Sequence, residues 1–411
     1  MLNSLMRACV RLISRALLML PLLASQFCLA ADLAIPDEFT DPQTHLRVVH
    51  LSRVANDRSG VIYFTYPCIT ADSRLALIDT QFEDKWRHLY SFDFQTMAIH
   101  PLVTDRLTQD QVVAPATGHL YYLADDAAWV IDMHGGLPRK IADIPARWSP
   151  GAGFSVNADE TLLLGASSDV DRPPHAPTTA PAQHGKTSTI EQTFAQHLPN
   201  VLFTVNIQTG KVKVIHRINT WLGHVQFSPT DPDLLMFCHE GPWGSVERIW
   251  MMRLSKGEPY LLYKRTEPRE IVGHEFWAPD GKSVWFQQDF RDGKRAFLTG
   301  QNLETGKLTQ YTVPEGGRSI HYAWTPDGRF FIGDGQGKTA TGPDKYLSLL
   351  TPEGDHLKVT HLCSLQKNDY AVEPNPHMSP DNHWVIFTAT LFGTPQAYGV
   401  EVPAGMTEVS H

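Results

Sequence analysis

Histidines recur in this chain at one fixed spacing from a repeated turn. Counting five residues back from the turn proline gives His224 (Gly-His-Val-Gln-Phe-Ser-Pro), His274 (Gly-His-Glu-Phe-Trp-Ala-Pro) and His321 (Ile-His-Tyr-Ala-Trp-Thr-Pro). The last copy of the turn places Asn375 there, with Glu373 and His377 two residues to either side. Strand alternation predicts that Glu373, Asn375 and His377 share one face. A neutral imidazole is a base or a metal ligand, and carboxylate and carboxamide oxygens suit a divalent cation. Polar side chains repeated at one position can also merely satisfy one another in a wet channel. The repetition, together with Glu373, favours a metal or anionic-ligand site. About ten residues beyond the turn, a returning strand brings Cys238-His239-Glu-Gly-Pro-Trp243 to the same rim, and the next strand starts there with Arg248. His224, His239, His274 and Arg248 are therefore expected to face one cavity.

The elements that must position these residues are read from the turn itself. It occurs seven times, beginning at Thr70, Ala116, Asn157, Ser228, Ala278, Thr325 and Ser379, and each copy leads into an apolar, β-prone run. Proline presets φ, Asp and Gly accept the bend, and the following run pairs back as a strand. A second turn signal follows each of the first six copies: Gln95-Thr96, Gly135-Gly136, Thr209-Gly210, Lys256-Gly257, Thr305-Gly306 and Glu353-Gly354. Two hairpins per unit of roughly 45 residues is the period of a propeller blade. The expected fold is all-β, a seven-bladed β-propeller over residues 31–411. The seventh unit lacks its second hairpin, so its third strand is expected at 396–402 and its outermost strand from the N-terminal segment near Leu46–Arg53, which closes the ring. Residues 169–200, rich in proline, lie between the two turns of blade three. They read as an insertion with a short helix near 190–198, either an irregular loop or a flap over the channel mouth.

Composition narrows the class. Lys and Arg number 35 against 44 Asp and Glu, with no basic run to follow a phosphate backbone, so nucleic acid is not an expected partner. Residues 1–30 have the layout of a secretory signal: Arg7, Arg11 and Arg15, then the apolar stretch 16–24, then Ala30 and Ala31. The apolar stretch is too short to span a bilayer, so a periplasmic or secreted protein without a membrane span is expected. Beyond it only Cys68, Cys238 and Cys363 remain, widely spaced, and they are expected to be buried with at most one pair bonded.

Trp221-Leu-Gly-His224, Phe237-Cys-His-Glu-Gly-Pro242, His274-Glu-Phe-Trp-Ala-Pro-Asp-Gly281 and Gly333-Asp-Gly335 together resemble the oligogalacturonate lyase family, the propeller pectate lyases. The resemblance implies β-elimination on short galacturonate oligomers with a bound Mn²⁺. It implies His239 as the base and His274 as a metal ligand. The shared register and rim position make His224, Arg248 and His321 the expected substrate contacts, with Arg248 also neutralising the uronate carboxylate beside the cation. The family presents Gln-x-x-His-Pro-His-Pro before its last turn, whereas this chain has Tyr370-Ala-Val-Glu373-Pro-Asn375-Pro. Glu373, Asn375 and His377 would complete an oxygen-richer shell, which suits Mn²⁺ or Ca²⁺ better than zinc. Two other readings stay open: a lyase for another uronate oligosaccharide, and a non-catalytic propeller that binds a protein or glycan. A hydrolase is disfavoured because the chain has no Gly-x-Ser-x-Gly.

Overall fold

A computed structural model describes residues 35–407, apart from 55–57, 82–86, 107, 171–185, 269, 291–294 and 336–344. The predicted signal segment and residues 171–185 of the insertion lie outside the described residues. From Pro36 onward the chain is one compact unit. It consists of antiparallel meanders laid down in chain order, and its only described helices are Lys186–Ala195 and Ala404–Thr407. No described helix is long and apolar enough to cross a membrane.

The first meander runs Arg58–Gly60, Leu75–Gln81, Arg87–Asp93 and Ala98–Val103. The second starts at Thr108–Ala114, the third at Trp148–Val156 and the fourth at Leu222–Phe227. The fourth continues through Leu234–His239, Ile249–Arg253 and Pro259–Leu261. The fifth and sixth, starting at Ile271–Trp277 and Tyr322–Trp324, are joined into an eight-stranded sheet by one parallel pairing, Thr312 with His356. The last meander comprises His377–Met378, Trp384–Ala389 and Gln396–Glu401, and its outer strands come from the N-terminal side. Arg47–His50 pairs with Gln396–Glu401, and Glu38–Thr40 adds one strand more than the sequence suggested. The helix Lys186–Ala195 lies between the second and third strands of the third meander.

The repeated turn works as its residues predict. Thr70, Thr325 and Ser379 each receive a backbone N–H five residues on, from Leu75, Phe330 and Trp384, and each hydroxyl donates to the Asp two residues on. Side chain and backbone together close the hairpin that carries each first strand into the second.

Second strands are buried on both faces. In Leu234–His239, Leu235 and Phe237 pack with Leu164 and Leu202 of the third meander. Leu234 and Met236 pack with Val272, Val284 and Phe286 of the fifth. The same alternation puts Cys238 on the face of Met236 and His239 on the face of Phe237. First strands also touch neighbouring meanders through polar contacts. Val113 N–H donates to Pro67 O (2.9 Å), Phe227 N–H to Ser155 Oγ (3.0 Å), and Gln226 Nε2 to Glu275 O (2.9 Å). Cys68, Cys238 and Cys363 are buried and free.

Candidate active site

The site begins with a backbone irregularity. Register slips by one residue in the first strands of the second, fourth and fifth meanders, between Gln109 and Gln111, Gly223 and Gln226, and Gly273 and Phe276. The slipped residues Asp110, His224 and His274 have φ of 38°, 49° and 53°, and Asn375 has 49°. All four stand five residues before the proline of a turn, and Gly153 occupies the same place in the third meander with φ 99°. A left-handed non-glycine residue costs roughly 1–2 kcal/mol, and such bulges re-aim a side chain off the pleat. His321, at the same count, is not among the left-handed residues.

His224 stands between two carboxylates. Its Nδ1 lies 3.1 Å from Glu275 Oε1 and its Nε2 3.2 Å from Glu240 Oε1. Arg248, 3% exposed, grips Glu240 with both terminal nitrogens at 2.9 and 3.3 Å. Burial alone would lower the His224 pKa, but Glu275 and Glu240 together outweigh it and hold it above the ordinary value. Burial would likewise raise the carboxyl pKa of Glu275, yet His224 and Arg248 pull it down to about 2. The two carboxylates are thus matched by one guanidinium and by an imidazole whose protonated form they favour. Donor atoms of His224, Cys238 and Glu240 lie within 4.8 Å of one another. They do not make a metal set, because Glu240 is already forked by Arg248 and burial keeps the Cys238 thiol protonated.

A second cluster joins the fifth, sixth and seventh meanders. The His274 and His321 rings meet edge to face at 4.9 Å, and His321 Nε2 lies 3.8 Å from Glu373 Oε2. His274 Nδ1 lies 3.0 Å from Gln287 Oε1, and His321 Nδ1 lies 2.7 Å from Asp334 Oδ2. Burial first, then the neighbouring His321, pushes the His274 pKa down to about 3, so the ring is neutral at any working pH. Tyr63 links the two clusters, with its hydroxyl 3.4 Å from His224 Nε2 and its ring 5.4 Å from that of His321.

The sequence-predicted residues thus divide. His224 with Arg248, and His274 with His321 and Glu373, are brought together. His239 lies on the other face of its strand, stacked on Trp250 at 4.6 Å and beside Phe237. Burial, then His216, lowers its pKa to about 4, and its buried Nε2 has no hydrogen-bond partner. The expectation that the His239 ring faces His224, His274 and Arg248 directly is corrected: strict alternation sends it with Phe237, and it borders the His224 cluster through the adjacent Glu240. The shared face of Glu373, Asn375 and His377 is corrected too. The strand starts only at His377, and the left-handed turn at Asn375 breaks the alternation. Asn375 donates to Glu373 O (3.1 Å) and accepts from Phe64 N–H (3.4 Å), while His377 Nε2 donates to Ile62 O (3.0 Å). Glu240, Glu275, Asp334 and Tyr63 were missed. The adjacent His-Glu pairs at 239–240 and 274–275 and the Gly-Asp-Gly at 333–335 were the available signals; Tyr63 had none.

The inserted helix reaches this rim. A side chain on Gly241 would meet the Phe194 ring at 2.6 Å, so that glycine, with φ 153°, lets Phe194 seat against the loop that follows Glu240. A separate cavity of about 540 Å³ lies at the turn end, lined by Arg47, Arg74 and Trp384 among others. Its arginines are paired with Glu38, Glu401 and Asp93, so it holds no comparable chemistry.

Fold and site define a protein of antiparallel meanders with histidine–carboxylate clusters where successive first strands meet. The chain belongs to the oligogalacturonate lyase family, whose model matches residues 36–406. It is 25% identical over 362 residues to an oligogalacturonate lyase of Dickeya dadantii, covering 83% of this chain and 89% of that one. It is 24% identical over 359 residues to an oligogalacturonide lyase of Pectobacterium atrosepticum, with the same coverage of 83% and 89%. Among solved structures, an oligogalacturonate lyase in complex with manganese superposes with a TM-score of 0.77 at 23% identity, covering 91% of this chain and 98% of that one. One from Vibrio parahaemolyticus gives 0.76 at 23% identity, covering 90% and 96%.

Proposed function

We propose that this protein is an oligogalacturonate lyase that cleaves short pectin-derived uronate oligosaccharides by β-elimination with help from a divalent cation, Mn²⁺ before Ca²⁺. The observation that carries the reading is the pair of clusters bridged by Tyr63, in a chain of this family. In the reaction a base takes the C5 proton of a uronate, the C4–O glycosidic bond breaks, and a C4=C5 double bond forms. The leaving oxygen departs as an alcohol once protonated. The C5 proton becomes acidic only when the adjacent carboxylate is neutralised. A bound divalent cation supplies part of that neutralisation as a Lewis acid. His224, whose ring nitrogens lie against Glu240 and Glu275 and whose side chain is 20% exposed, is proposed as a substrate contact. Arg248 fixes Glu240 with its terminal nitrogens and acts through it, not on the sugar. His239 is proposed as the base because its ring is neutral and it directly precedes Glu240 of the His224 cluster. An approaching substrate carboxylate would raise its pKa toward useful basicity.

The same reading includes a closed ring of seven blades. In support, Pro67 of the first meander bonds the second, the third meander bonds the fourth and the fourth the fifth through their first strands, and His377 of the last meander bonds Ile62 of the first. It also includes export directed by residues 1–30, which the N-terminal sequence of protein recovered from the periplasm would test. The activity test incubates wild type and His239→Ala with digalacturonate and trigalacturonate and follows ultraviolet absorbance of the unsaturated product. Product from wild type and a loss on the order of 10²–10⁴ in kcat for His239→Ala is expected. Unchanged activity in His239→Ala would remove the base assignment. Absence of product from any uronate oligosaccharide would favour a binding module.

A further inference from the structure

The two halves of the site differ in whether their donor atoms are committed. Around His224 every carboxylate already has a cationic partner. Around His274 and His321 the pattern is different: each ring spends Nδ1 on a fixed acceptor. Gln287 Oε1 takes the N–H of His274, and Asp334 Oδ2 takes that of His321. With Nδ1 engaged on both rings, Nε2 is the nitrogen left to meet a ligand. A carboxylate or carbonyl behind the ring is how ligating histidines are oriented and made more basic. Asp334 is itself locked: it is fully buried, and its other oxygen accepts the backbone N–H groups of Ile320 and His321 at 3.0 and 2.9 Å.

We propose that the divalent cation is held by Nε2 of His274, Nε2 of His321 and the carboxylate of Glu373, with Gln287 and Asp334 as positioning residues. Asn375 and His377 are not ligands. The inference rests on the lyase reading only for the expectation that a divalent cation binds. The Glu373 oxygen stands 3.8 Å from His321 Nε2. Metal–ligand bonds of about 2.1–2.3 Å place two donors of one ion roughly 3–4.5 Å apart, which the His321–Glu373 pair meets. The three donors do not all lie within 4.8 Å of one another, so the set closes on the ion by side-chain movement. Glu373, 26% exposed at its side chain, is the adjustable member of the set, whereas His321 is 1% exposed and fixed. The residues that sequence position alone would recruit are engaged elsewhere. Both ends of the Asn375 carboxamide are bonded to backbone, and His377 Nε2 donates to Ile62 O. Two imidazoles and one carboxylate leave open positions on a cation, which a uronate carboxylate can fill. His321 of the sixth meander thereby joins Glu373 of the last, whose Asn375 is engaged with backbone.

The test titrates full-length protein with Mn²⁺ and reads free Mn²⁺ by its electron paramagnetic resonance signal, with thermal melts of every variant as a folding control. His274→Ala, His321→Ala and Glu373→Gln are expected to weaken binding at least tenfold. Asp334→Asn is expected to weaken it on the order of 10–100-fold through ring orientation. Asn375→Ala and His377→Gln are expected to bind as wild type does. Folded His321→Ala and Glu373→Gln that bind Mn²⁺ normally would overturn the proposal, as would a wild type that binds no divalent cation. The lyase reading fails separately: a protein that binds Mn²⁺ through these residues yet makes no unsaturated product keeps the site and loses the activity.

Discussion

His274 occupies a backbone conformation that its side chain does not favour. At φ 53° it is strained as any residue with a Cβ is. A glycine there relieves the strain and an alanine does not, so comparing the two isolates the backbone contribution. His274→Gly is expected to be more stable than His274→Ala by about 1 kcal/mol, read from urea midpoints at constant m. Equal stability would show the bulge to be unstrained. The base makes a second expectation. His239 must be neutral to act, and its folded pKa is pushed down to about 4 by burial. The acid limb of kcat/KM is therefore expected near pH 4 instead of near 6.5, provided circular dichroism shows intact protein there. A limb near 6.5 would mean that another histidine is the base. The sequence count placed His224 and His274 on first strands, Leu222–Phe227 and Ile271–Trp277, while His321 and Asn375 fall just before theirs. It erred at His239 because the end of the returning strand was taken to face the rim of the first strands, whereas alternation sends that residue with Phe237, and at Asn375 and His377 because strict alternation was assumed where a left-handed residue breaks it.

At the scale of elements, the turn chemistry was the legible part. Threonine or serine followed two residues on by aspartate specifies a hairpin locally, so the order of strands could be read without knowledge of their packing. The pairing of Arg47–His50 with Gln396–Glu401 was also readable, because the last unit lacked a fourth strand. The polar latch at that seam was not, since its members are far apart in sequence. Gln396 Oε1 accepts from His50 Nε2 (3.1 Å), Ser52 Oγ (2.7 Å) and Ser59 Oγ (3.0 Å), all buried. Gln396→Ala would strand these donors. A loss of about 2–3 kcal/mol in unfolding free energy is expected, against under 1 kcal/mol for an exposed substitution such as Gln95→Ala. Equal small effects would mean that the seam is held by its apolar residues alone.

For the whole molecule, buried neutral histidines set the acid side of stability. His377 titrates near 4 when folded, because burial disfavours its charged form, and near 6.5 when unfolded. Between those values the unfolded chain binds more protons, so stability falls as pH drops from about 6.5 to about 4, by about 3 kcal/mol for this one ring. His224 acts in the opposite sense. Its raised pKa adds stability below about 6.5 that is lost as pH climbs through the folded value. His377→Gln should flatten the acid slope of urea stability, and an unchanged slope would assign it to other groups.

The central claim is that these clusters perform a cation-assisted elimination on oligogalacturonate. It is tested most directly by mass spectrometry of trigalacturonate after incubation with the purified protein, untreated, chelated, and chelated then resupplied with Mn²⁺. The account predicts an unsaturated product bearing the C4=C5 bond, its loss on chelation and its return with Mn²⁺. Intact trigalacturonate in all three samples, or saturated products from hydrolysis, would contradict it.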